Sequence, residues 1–69
     1  MKYDVGDYLF LTDIEKGDHV RYCVIVEACG DFYWGILINN SFRKVAIYED
    51  EIIKKISKEE YKLAKIILS

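Results

Sequence analysis

The sequence predicts a mainly β domain: five short antiparallel strands closing into a small barrel, followed by one C-terminal α-helix. An open antiparallel sheet with the helix packed across one face is the alternative that the same pattern allows. Three observations carry this reading. The stretch 18–48 divides into three strand-length runs separated by short turns. Gly35 sits inside the most apolar of those runs, where a glycine marks a bulge, a sharp bend or a close backbone approach. Ser57, followed three residues later by Glu60, opens a helical pattern with the spacing of a capping box.

The 69 residues suffice for one domain, 1–69, with the barrel expected over 5–56 and the helix segment over 57–68. A chain this short buries only about 60% of the surface exposed by its unfolded form, so its core must be dense. Its composition meets that demand, with 52% apolar residues, 14% aromatic and no proline. That balance also argues against intrinsic disorder.

Met1 to Gly6 is a lead-in anchored by Val5, and Gly6-Asp7 turns the chain into the first strand, 8–12. Alternation places Val5, Leu9 and Leu11 on one side, with Tyr8 and Phe10 on the other. Both sides are apolar, so something besides water must cover each. A polar loop over 13–18 leads into the second strand, 19–28. There Val20, Tyr22, Val24, Val26 and Ala28 read as core; His19, Arg21, Cys23, Ile25 and Glu27 read as mostly exposed. Cys29-Gly30-Asp31 is a tight turn into 32–39, and Asn40-Ser41 turns again into 42–48. In that fourth strand Val45 and Ile47 face inward, while Lys44, Ala46 and Tyr48 face outward. Glu49-Asp50-Glu51 interrupts the β pattern as a turn or short 3₁₀ step before a last strand over 52–56.

The helix is expected over 58–68. At about 100° per residue, Tyr61, Leu63, Ala64, Ile67 and Leu68 cover one broad arc, and Lys58, Lys62 and Lys65 share the other side. Ile66 falls outside the main stripe. The arc is wider than one docking contact requires, and the excess is a candidate homodimer surface.

The net charge of −2 excludes a strongly basic nucleic-acid binder, but its distribution is uneven. Residues 1–34 carry three basic against seven acidic side chains, and residues 35–69 carry seven basic against five acidic. An acidic loop end and a basic C-terminal element are expected. No signal-peptide pattern opens the chain, and no apolar run nears the ~20 residues of a membrane span, so a cytoplasmic protein is expected. Cys23 and Cys29 are six residues apart along one strand, about 20 Å, too far for a disulfide. No catalytic, cofactor or metal site is expected. His19 is the only histidine and has no nucleophile near it in sequence, and the 13–18 loop supplies too few oxygen ligands for calcium.

Val5-Gly6-Asp7-Tyr8-Leu9 is similar to the Gly-Asp-x-Val opening of Tudor, KOW and SH3-type barrels, and 45–52 is similar to the turn before their last strand. Over about 5–56 the chain thus resembles the SH3-like small β-barrels. The aromatic-acidic opening of eukaryotic SH3 domains and their groove proline are absent, which argues against proline-rich ligands. The resemblance implies binding through surface aromatics and flanking loops, with Tyr8, Phe10, Tyr33, Trp34 and Tyr48 as outward candidates. A non-enzymatic protein-protein interaction module is therefore expected, with Tyr8, Phe10, Trp34, Tyr48, Glu49, Asp50, Tyr61, Leu63, Ile66 and Ile67 as contacts. Small size and a Lys/Ile/Tyr-rich composition resemble phage or mobile-element accessory proteins, which implies binding or regulating a host factor. The alternative is a nucleic-acid-binding small barrel using Arg43, Lys44, Lys54, Lys55, Lys58, Lys62 and Lys65.

Overall fold

A computed structural model describes residues 2–12, 22–38 and 44–68. Five strands, β1 (Tyr8–Leu11), β2 (Tyr22–Cys29), β3 (Phe32–Leu37), β4 (Lys44–Ile47) and β5 (Ile52–Ile56), precede one helix, α1 (Lys58–Leu68). A 3₁₀ turn at Glu49–Glu51 joins β4 to β5. The loop 13–18, residues 19–21, Asn39, the Asn40-Ser41 turn, Phe42 and Arg43 lie outside the described residues.

The strands form one antiparallel sheet in the order β4-β3-β2-β1-β5. This corrects the expected SH3-like barrel. Closure would require β4 to pair with β5, and these are the two edges of an open sheet, separated by three strands. The apolar character of both sides of β1 and β3 suggested closure, but an open sheet covered on both faces demands the same pattern. The alternative, an open sheet with a C-terminal helix, is the architecture observed.

On one face Leu9, Leu11, Cys23, Ile25, Tyr33 and Ile47 form a fully buried cluster, flanked by Tyr3, Leu37, Val45 and Ile52. The N-terminal segment lies against it. Tyr3 meets the Tyr33 ring edge-on at 6.0 Å, and its N–H donates to the Tyr33 hydroxyl at 3.2 Å. That segment is held by the turn at residues 4–7. Asp7 N–H donates to the Asp4 carbonyl, and Gly6 in between takes φ 93°, which a side chain would oppose. The Asp7 carboxylate accepts the Asp4 N–H at 2.9 Å and meets Lys55 Nζ of β5 at 3.3 Å.

The face assignment of β2 needs correction. Cys23 and Ile25 are core, Tyr22, Val24 and Val26 are half-buried, and Ala28 is exposed. The reason is a bulge at Val26: Ile25 pairs with Gly35, but Glu27 pairs with Trp34. Glu27 is therefore out of phase with Ile25, and its polarity says nothing about the side on which Ile25 lies. A second irregularity at Ile53 leaves Phe10 opposite Lys54 and Leu11 opposite Ile52.

Gly35 faces the bulge because no side chain fits there. A Cβ would collide with Ile47 Cδ1 and lie 3.2 Å from the Val24 carbonyl oxygen and 3.6 Å from Cys23 Sγ. Ile47 is itself fully buried and has little room to yield. Gly35→Ala is expected to destabilise the domain by about 1–3 kcal/mol, read as a lower urea midpoint at unchanged slope.

The helix docks on the other face by a narrow edge. Ser57 Oγ accepts the Glu60 N–H at 3.1 Å, as the capping spacing requires. Ala64 and Tyr61 pack with Ile38, Leu37 and Tyr22, and the Tyr61 ring lies 4.4 Å from that of Tyr8. The expected broad apolar arc thus splits. Tyr61 and Ala64 face the sheet, whereas Leu63, Ile66 and Ile67 are exposed by 58%, 72% and 71%.

Candidate interaction surface

Pairing register decides which aromatics are available. Tyr33 points into the core, so its neighbour Trp34 points to the opposite face, together with Phe32 and Ile36. Two rings of β3 meet there with that of Tyr48, the residue that follows β4. Phe32 and Trp34 lie 5.2 Å apart in a T-shaped contact, and Phe32 lies 5.7 Å from Tyr48. Phe32 and Trp34 are half-buried and Tyr48 is 50% exposed. The cluster stands about 13 Å along β3 from Ile38, where the helix packs.

Carboxylates rim these rings. Glu27 is the cross-strand neighbour of Trp34, Asp31 precedes Phe32 in the β2–β3 turn, and Glu49 and Asp50 follow Tyr48; all four are exposed. Among the described residues, Lys44 is the one cation beside them, 4.0 Å from Glu27. The 3₁₀ turn fixes the acidic residues beside the rings. Tyr48 N–H donates to Glu51 Oε1, Glu51 N–H returns to the Tyr48 carbonyl, and the Glu51 carbonyl accepts Thr12 N–H at 2.7 Å.

Of the residues nominated from sequence, Trp34, Tyr48, Glu49 and Asp50 come together here. Tyr8, Phe10 and Tyr61 do not. Tyr8 stacks on Tyr61, and Phe10 meets Tyr22 at 5.1 Å, so these rings are engaged in packing beside or beneath the helix. Burial pushes the Tyr61 phenol above its ordinary range, with Cys23 and Tyr8 adding to the effect, as suits a docking residue. Leu63, Ile66 and Ile67 lie on the outer side of α1. Sequence reading missed Phe32, Glu27 and Asp31. The two-residue spacing of Phe32 and Trp34 was the available signal.

The basic residues do not form a single stripe. Lys44 is on one edge strand and Lys54 and Lys55 are on the other, while Arg43 lies outside the described residues. Lys58, Lys62 and Lys65 fall within about 60° of one another around α1. Among the described residues, no group of three or more His, Cys, Asp and Glu side chains is arranged to hold a metal ion, and no helix is long and apolar enough to cross a membrane.

Both cysteines are free. Burial raises the Cys23 thiol to about 12, whereas Cys29 is exposed at the end of β2. Under native conditions a maleimide is expected to label Cys29 only, with Cys23 reacting after urea unfolding, as intact-mass spectrometry would show. Cys23 also sets a pH dependence. The folded chain keeps this proton up to about pH 12, whereas the unfolded chain releases it from about pH 9. Stability from this group is full below pH 9 and is lost as pH rises through that window.

No family model, no curated protein and no solved structure matches the chain.

Proposed function

We propose that this chain is a non-enzymatic protein-binding module that grips a cationic, partly apolar segment of its partner through the Phe32–Trp34–Tyr48 face. One observation carries the reading: at the end of β3 remote from the helix, Phe32 contacts both Trp34 and Tyr48, and among the described residues four carboxylates and one lysine rim these rings. Aromatic rings offer large contact area at low entropic cost, and they attract cations over their faces. The carboxylates add steering and reject acidic partners. A role as a phage or mobile-element accessory protein that binds a host factor fits the small size and composition. The cytoplasm fits the exposed free thiol of Cys29. Homodimerisation through the outer side of α1 belongs to the same reading.

Trp34 is the only tryptophan and therefore its own reporter. A synthetic amphipathic Leu/Lys peptide is expected to shift Trp34 emission saturably, with a Leu/Glu peptide of the same pattern leaving it unchanged. Equal response to both peptides, or to neither, would sink the proposal.

A second reading is favoured by the lysines of the C-terminal elements. Lys54 and Lys55 are exposed on β5, Lys55 being paired with Asp7, and Lys58, Lys62 and Lys65 are exposed along one flank of α1. These cations suit a phosphate backbone. Anisotropy of labelled single-stranded DNA and RNA should then fall steeply between about 50 and 200 mM salt. No binding at the lower salt removes this reading.

A further inference from the structure

The outer edge of β4 borders the aromatic face. Among the described residues, β4 pairs only with β3. The register shows which way its amides point. Ile38 N–H donates to the Tyr22 carbonyl, so by alternation the amides of Phe32, Trp34 and Ile36 address β2, and those of Tyr33 and Gly35 address β4. Their partners Ile47 and Val45 answer them across the ladder, which turns the amides of Lys44 and Ala46 out of the sheet edge. Ala46 is exposed and stands in one cross-strand row with Trp34 and Glu27. With only a methyl group at Ala46, the Trp34 ring is within reach of a side chain one strand further out. Charge grades along the same edge. Lys44 at one end is turned to Glu27. At the other end the Glu49–Glu51 turn satisfies both the N–H and the carbonyl of Tyr48 and leaves Glu49 and Asp50 exposed.

We infer that the partner segment binds as an extended strand added to β4. An apolar side chain lies beside Ala46 and Trp34, and a lysine or arginine follows two residues nearer the Glu49–Asp50 end. The inference rests on the cationic-partner reading above and gives that partner its backbone conformation. Backbone hydrogen bonds to Lys44 and Ala46 set the register, and alternate side chains give selectivity. A helix has already used its own amides and leaves this edge unanswered. A second copy of the chain is the poorer occupant. The exposed side chains of its β4 are Lys44, Ala46 and no large apolar group, and Lys55 of its β5 is already paired with Asp7.

The test titrates the full chain with short capped peptides of Leu, Lys and Thr, all of one composition, and follows Trp34 emission. In the strand-spaced peptide Lys stands two residues from a central Leu; in the helix-spaced peptide the separation is four. The strand-spaced peptide should bind about tenfold more tightly or better, and equal or tighter binding of the helix-spaced one would overturn the inference. Two further strand-spaced peptides carry a single backbone N-methyl group, at the central Leu or at the residue before it. In an extended strand these two amides point to opposite edges, so one methyl group should cost about tenfold or more and the other little. Equal affinities for the methylated pair, whether both are kept or both lost, would overturn it. Ala46→Pro removes the outward N–H at an edge position that tolerates proline, and the folded variant should lose the strand-spaced peptide. Retained binding by that variant counts against strand addition; should it fail to fold, the methylated pair decides. Self-association of the wild type that Ala46→Pro abolishes would assign the edge to a second copy instead. If only the helix-spaced peptide shifts Trp34, the acidic aromatic face stands and strand addition falls. Silence of Trp34 to every peptide removes the face itself.

Discussion

Tyr33→Ala is expected to leave the chain largely unfolded at ambient temperature. Tyr33 is the largest fully buried side chain among the described residues, and it joins β3 to the N-terminal segment through its ring and its hydroxyl. Large-to-small changes of an aromatic core residue cost about 3–5 kcal/mol. At roughly 0.05–0.15 kcal/mol per residue, a domain of this length has about 3–10 kcal/mol of stability in total, and the single small core of so short a chain places it toward the low end. Tyr33→Phe keeps the packing and loses only the Tyr3 N–H contact, at about 0.5–1.5 kcal/mol. Urea unfolding followed by circular dichroism should rank the wild type above Tyr33→Phe and place Tyr33→Ala without a cooperative transition. A fully cooperative Tyr33→Ala would show that the buried cluster is not the core of the domain.

The adjacent residue should behave in the opposite way. Trp34→Ala is expected to weaken binding of the Leu/Lys peptide by about 30-fold or more, the loss of a hot spot worth about 2 kcal/mol, while the domain stays folded. Trp34 is half-buried and braced by Phe32, so some stability is lost, but the cavity opens to solvent rather than inside the core. Isothermal titration of the folded variant measures the loss directly. Unchanged affinity would place the contact elsewhere on the molecule.

Element order was legible in the sequence because each element has a local cause. The Ser57 cap opens the helix, Gly30 at φ 59° permits the two-residue turn between β2 and β3, and the run 49–51 breaks the strand pattern. Closure and facing were less legible, because both depend on pairing. An apolar strand shows that its two sides are covered and not by what, so barrel and covered open sheet looked alike. In β2 both sides are apolar, and the one polar flag near the end, Glu27, lies beyond a bulge visible only from its partner strand. The candidate site was half legible for the same reason. Tyr48 and the acidic turn were nominated from their position at the end of β4. Phe32, Glu27 and Asp31 join them only through the β2–β3 and β3–β4 registers.

The most direct test of the binding face is a map of backbone amide chemical shifts on titration with the Leu/Lys peptide. The acid-rimmed aromatic face predicts perturbations concentrated at Glu27, Asp31–Trp34 and Ala46–Asp50, with the Lys58–Lys62–Lys65 flank of α1 unmoved. Perturbations centred on that flank, or spread evenly over the surface, would contradict it.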